Sequence, residues 1–148
     1  MGEIEKKLKD MNIELKPAFG GNPYITGCKS CGNLVYVSGH GPAAKGKLGH
    51  NLGTEEGTEA AREVMVNCLA SLKAHIGDLD RVKSIVKLLG MVNSTPEFIE
   101  QPAVINGASK LLVELYGEEK GRHARSAVGV ASLPGGIPVE IEMIVEVE

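Results

Sequence analysis

Residues 123–148 read HARSAVGVASLPGGIPVEIEMIVEVE, and the spacing within this stretch decides the fold class. From Val139 onward apolar and acidic residues alternate with a period of two. Val139, Ile141, Met143, Val145 and Val147 fall on one side, and Glu140, Glu142, Glu146 and Glu148 on the other, with Ile144 among the acids. That is the pattern of a strand with one buried face and one open face. Residues 125–132 carry Ala127, Gly129 and Ala131 on one side and Val128 and Val130 on the other, a second strand with little bulk on one face. The link LPGGIP has turn composition, so the two strands are expected to form a closing hairpin.

Working outward, two amphipathic helices precede this hairpin. Thr54 is placed as the N-cap of a helix to about Ile76, with Ala61, Val64, Met65, Cys68, Leu69, Leu72 and Ile76 on one face and Gly77 as its stop. Pro96 and Pro102 each stand where a second helix could begin; its stripe is Val104, Ile105, Ala108, Leu111, Leu112 and Leu115, and it is expected to end at Gly117. Between them RVKSIVKLLGMVN reads as a central strand. Residues 24–29 and 34–38 read as a hairpin, IELKPA as a first strand, and residues 3–11 as a short charged helix. Two helices with one apolar face each must lie against a β-sheet, and the chain reads as a single α+β domain over residues 1–148, a mixed sheet with both helices on one face, with residues 1–12 as an N-terminal extension. If both helices cover one face the other is left bare, and Ile144 with the small residues of the preceding strand suggests that another subunit covers it.

Composition narrows the function classes. Hydrophobic residues make up 43% and charged residues 24%, as in a folded globular chain that can bury a full core. The net charge of −3 and the five aromatic residues give neither an electrostatic footprint for nucleic acid nor platforms for base stacking. No run is apolar enough to span a bilayer, and the charged N-terminus lacks a signal core, so a cytoplasmic location is expected. Three cysteines do not make a disulfide scaffold. Cys28 and Cys31 have CxxC spacing but flank a predicted turn and lack two further ligands, so neither a metal nor a redox site is expected. The histidines show no ligand spacing; His75 suits the negative end of its helix, and His40, at a strand end, could line a pocket.

Arg125 stands out because it opens an almost wholly apolar strand. A guanidinium there could grip a carboxylate through two parallel hydrogen bonds. Glu140, one turn away, would stand on the neighbouring strand at a similar level. Spacing alone leaves two readings open: a cross-strand ion pair, or two arms of a ligand site.

At these residues the chain resembles the RidA/YjgF reactive-intermediate deaminases. ARSAVGVASLPGGIPVEIEMIVEV is similar to their C-terminal signature, and NPYITG, LVYVSGHGP and VIN are similar to further family segments, so the resemblance runs from about Ile13 to Val147. It implies a chorismate-mutase-like fold, a homotrimer, and ligand clefts between subunits. It also implies hydrolysis of 2-imino or enamine acids to 2-keto acids and ammonia, without metal or cofactor. The family's carboxylate-binding arginine falls on Arg125 and its acidic residue on Glu140. Its pocket tyrosine falls on Tyr24, its Ser-Gly corner on Ser38 and Gly39, and its helix asparagine on Asn106. Alternatives to this hydrolase are a non-catalytic binder of small carboxylates and, against the charge balance, a translation-inhibiting ribonuclease. Where many deaminating members carry a cysteine this chain has Ala127, and where they often carry a glutamate it has Gly129, departures that suggest a divergent subgroup.

Overall fold

The computed structural model describes residues 1–148. The elements run α1 (Glu3–Asp10), β1 (Cys28–Cys31), β2 (Leu34–His40), α2 (Thr54–Ile76), β3 (Val82–Asn93), α3 (Gln101–Gly121), β4 (Ala124–Val130) and β5 (Val139–Val147). This is an α+β domain with a mixed sheet, as expected, although the sheet has five strands rather than the six read from the sequence. The strand order is β1-β2-β5-β3-β4.

That order overturns one expectation. β4 and β5 do not form a hairpin, because β3 lies between them, parallel to β4 and antiparallel to β5. Alternation within a strand says which face a residue takes but not which strand sits beside it. Residues 131–138 therefore pass over the end of β3 through a short 3₁₀ turn at Pro134–Gly136. β4 is left as an edge strand.

The open face is as expected on β5 and different on β4. Val139, Ile141 and Val145 are fully buried and Met143 nearly so, with α2 packed over β5, while α3 packs on β3 and β4. Cross-strand rows extend this: Met143, Leu88 and Arg125 share a level on the helix face, as do Ile141, Gly90 and Ala127. The small residues Ala127 and Gly129 thus face the helices. The open face of β4 is presented by Val128, level with Met91 and Glu140, and by Ser126, level with Leu89 and Glu142. Tyr36, beside Ile144 on the same face, is 45% exposed, and Val128 is 41% exposed.

Helix placement follows the stripes. α2 begins at the predicted Thr54, although its cap is Gly53, whose N–H donates to Oε1 of Glu56 at 3.0 Å. It ends at Gly77, where φ is 88°. Of the two prolines only Pro102 opens a helix, and the backbone leaves helical geometry at Gly117 (φ 80°) before one more turn. Gly107 lets α3 approach the α2 backbone at Thr58 so closely that a Cβ there would overlap the Thr58 carbonyl. IELKPA is not a strand: residues 11–27 pair with no strand, and β1 begins only at Cys28. The hairpin turn is the two residues Gly32 and Asn33, with Gly32 at φ 60° as a type II′ turn requires. The N-terminal helix docks by Ile4 and Leu8, and its first N–H groups, of Glu3 and Ile4, donate to Asp80 at 2.8 and 2.9 Å. Those two bonds pull the Asp80 pKa below the usual carboxylate range.

Candidate functional site

Arg125 lies where α3 meets β4. Asn106 and Ser109 are three residues apart, so they share one face of α3, and the chain turns from Gly121 directly into β4. The Arg125 Nη1 donates to Oδ1 of Asn106 at 2.7 Å and to Oγ of Ser109 at 3.2 Å. Both protons of Nη1 are thereby used. The edge formed by Nε–H and Nη2–H, which has the fork geometry for a carboxylate, makes no hydrogen bond within the chain. A cavity of about 520 Å³ opens here, lined by Asn106, Ser109, Val113, Arg122, His123 and Arg125. Desolvation lowers the Arg125 pKa, yet a guanidinium titrates far above neutrality and stays charged.

Glu140 lies elsewhere. It stands on the open face of β5, against a bulge in β2: Val37 pairs with Met143 and His40 with Ile141, so three steps of β2 oppose two of β5. The bulge turns Ser38 and Gly39 out of register. Ser38 Oγ donates to the Thr26 carbonyl at 2.6 Å and its N–H to the Gly27 carbonyl at 2.9 Å. His40 is buried, not lining an open pocket; its Nδ1 donates to the Ser38 carbonyl at 2.6 Å and its Nε2 pairs with Ser71 Oγ at 2.7 Å. The Glu140 carboxylate lies directly over the Gly39 Cα, in the space a Cβ would take. Burial and the nearby Glu142 raise the Glu140 pKa, with His40 opposing. Gly39→Ala should displace this carboxylate while leaving the core intact. The expected result is a melting temperature within a few degrees of the parent and a Glu140 carboxyl ¹³C resonance that titrates at a changed pH; an unchanged titration would refute the contact.

The two groups are therefore not an ion pair. They stand two strands and three residues apart, about 14 Å between Cα atoms, and on opposite faces of the sheet. Of the other sequence-derived residues, Asn106 joins Arg125, and Ser38 with Gly39 joins Glu140. Tyr24 joins neither: its side chain is 92% exposed, on a turn in which Asn22 Oδ1 accepts from the Tyr24 and Ile25 N–H groups at 2.8 and 3.0 Å. The CxxC pair is split between core and solvent, with Cys28 buried beside Cys68, its thiol pushed up to about 11, and Cys31 exposed. No group of three or more histidine, cysteine, aspartate or glutamate side chains converges as a metal site would, and no helix is long and apolar enough to cross a membrane.

Residues 17–138 match the family described as "YjgF/chorismate_mutase-like, putative endoribonuclease". The chain belongs to this YjgF/chorismate-mutase-like family. It is 42% identical to protein TCP17 of Trypanosoma cruzi, across 98% of this chain and 94% of that one. It is also 42% identical to Atu1372 of Agrobacterium tumefaciens, a structure of unknown function, with a TM-score of 0.91 over 98% of this chain and 92% of that one. RidA from the Antarctic bacterium Psychrobacter sp. PAMC 21119 is 28% identical with a TM-score of 0.58, over 90% and 94% of the two chains. The YjgF fold is thus shared with both, while the backbone follows Atu1372 far more closely than RidA, as the departures at Ala127 and Gly129 suggested for a divergent branch.

Sequence reasoning missed Ser109 and His123. Ser109 Oγ bonds His123 Nε2 at 2.9 Å, and His123 Nδ1 bonds the Gly121 carbonyl at 2.7 Å. The available signal was spacing: Ser109 is one helical turn from Asn106, and His123 is two residues before Arg125 on the same side of the chain.

Proposed function

We propose that this YjgF-family protein hydrolyses small 2-imino or enamine acids to 2-keto acids and ammonia, in clefts completed by a neighbouring copy in a homotrimer. The observation that carries the proposal is the unspent Nε/Nη2 edge of Arg125, held rigid through Nη1 by Asn106 and Ser109. A protomer offers a carboxylate grip on one sheet face and the Glu140–Ser38–Gly39 corner on the other. A cyclic assembly with a head-to-tail interface brings unlike faces together and so can join the two. The exposed Tyr24 would then close over the ligand from the copy that supplies Glu140.

The chemistry needs little beyond this. The substrate iminium carbon is already electrophilic, so holding it and a water in line accounts for much of the acceleration. Arg125 binds the substrate carboxylate. Glu140 accepts a proton from water as the oxygen adds to the imine carbon, giving a carbinolamine. The same carboxyl returns the proton to nitrogen, and the regenerated carboxylate takes the hydroxyl proton as the C–N bond breaks, so that the C=O forms and ammonia leaves. Desolvation of Glu140 makes it a stronger base than an exposed carboxylate. Because the base must be ionised, kcat should rise as pH increases through its elevated pKa and level off above it.

The test generates 2-iminopropanoate in place with an amino-acid oxidase and follows its decay. Wild type should accelerate hydrolysis and Glu140→Gln should lose about a hundredfold; no acceleration with any of several imino acids would end the enzyme reading. It would leave the binding reading, since the Arg125 edge also suits a carboxylate metabolite that is not turned over. The ribonuclease description attached to the family has less support here, given the net charge of −3 and five aromatic residues.

A further inference from the structure

Resting on the reading of Arg125 as the carboxylate grip, we infer that Ser109 and His123 are positioning residues that set its orientation through a directed chain of hydrogen bonds. The direction follows from the groups themselves. The Gly121 carbonyl can only accept, so the 2.7 Å contact puts a proton on His123 Nδ1. In the neutral ring Nε2 is then an acceptor, and at 2.9 Å it takes the hydroxyl proton of Ser109. With its proton committed to the imidazole, Ser109 Oγ turns its lone pairs toward Arg125 and accepts from Nη1 at 3.2 Å. Burial, with the Arg125 charge, lowers the His123 pKa against the opposing bond to the Gly121 carbonyl, which favours the neutral ring at physiological pH.

Asn106 alone would not fix the guanidinium. One bond at 2.7 Å leaves the group free to pivot about that contact, and Arg125 is only half-buried. The second bond removes the pivot and determines which edge is left for the ligand. The chain is anchored at its far end by backbone, at Gly121, the buried last residue of α3, where a Cβ would overlap the Leu112 carbonyl. A hydroxyl that is free to rotate thus becomes an acceptor of fixed direction, with the imidazole as the cause. Neither residue needs to touch the ligand.

The experiment compares His123→Phe, Ser109→Ala, the double variant and His123→Gln with wild type, in two measurements. The first needs no ligand: rotation about the Arg125 Cζ–Nη1 bond, read by ¹⁵N NMR on the full chain, should be faster in His123→Phe and Ser109→Ala. The second is pyruvate affinity, which should fall about tenfold in each, as for loss of one bond to a charged group. The double variant should lose no more than either single one, because one chain is broken at two links. His123→Gln offers an amide oxygen near the Nε2 position and should recover most of both signals, whereas a packing role would be served better by Phe. Unchanged Arg125 rotation in His123→Phe overturns the inference, as does additive loss in the double variant. Arg125→Ala separates the two levels. If it binds pyruvate as well as wild type, the ligand reading fails, while the NMR result still judges the chain of bonds.

Discussion

Arg125→Ala should lose at least about a hundredfold in kcat/KM toward imino acids, since it removes two charge-assisted hydrogen bonds together. More telling is what happens on mixing. The Arg125 grip and the Glu140 corner lie on opposite sheet faces, so each cleft in a cyclic assembly would take one half from each of two copies. An equimolar mixture of Arg125→Ala and Glu140→Gln, unfolded and refolded together, should then form some clefts with both halves intact. Random assembly gives that arrangement in about a quarter of clefts, so two inactive proteins should yield about a quarter of wild-type activity. Absence of any recovery from folded, mixed oligomers would rule out a site shared between copies.

The second large effect concerns stability. Gly107 sits where α3 crosses α2, with no room above its Cα before the Thr58 carbonyl. A side chain at 107 meets backbone, which cannot rotate aside, so the helices must separate. Gly107→Val should destabilise the fold by about 3 kcal/mol, lowering the melting temperature by about 10 °C for a domain of this size. Asn106 is the adjacent residue, so any surviving fold should also hold Arg125 poorly and bind pyruvate weakly. A melting temperature within 2 °C or so of wild type would show that the crossing is not as tight as drawn.

The sequence carried the faces of the sheet better than its order. The alternation from Val139 to Val147 identified the buried side of β5 residue by residue, and the stripes on α2 and α3 located both helices. Period-two patterning contains no term for neighbours, however, and the short LPGGIP link reads equally well as a hairpin or as a passage across a third strand. The same ambiguity produced the expectation that Arg125 and Glu140 share a level, and assigned Ala127 and Gly129 to the open face. The family signature pointed to Arg125 and Glu140, although it could not say that they stand on different faces. Ser109 and His123 escaped because a serine inside a helix and an isolated histidine carry no motif. Their meaning arises only when Gly121, a residue with no side chain, supplies the carbonyl that orients them.

The position of β4 has a consequence for how the protein breathes. An edge strand held by one neighbour opens at a lower free-energy cost than the central strands, so Ala124–Val130 should exchange its amide hydrogens through local excursions rather than global unfolding. Each excursion would carry Arg125 away from Asn106 while β5 and Glu140 stay in place. On the proposed function, the grip and the base would therefore belong to different cooperative units. Ligand binding would then draw on the closed state of only one of them, and its apparent affinity would report that local equilibrium as well as the contacts made.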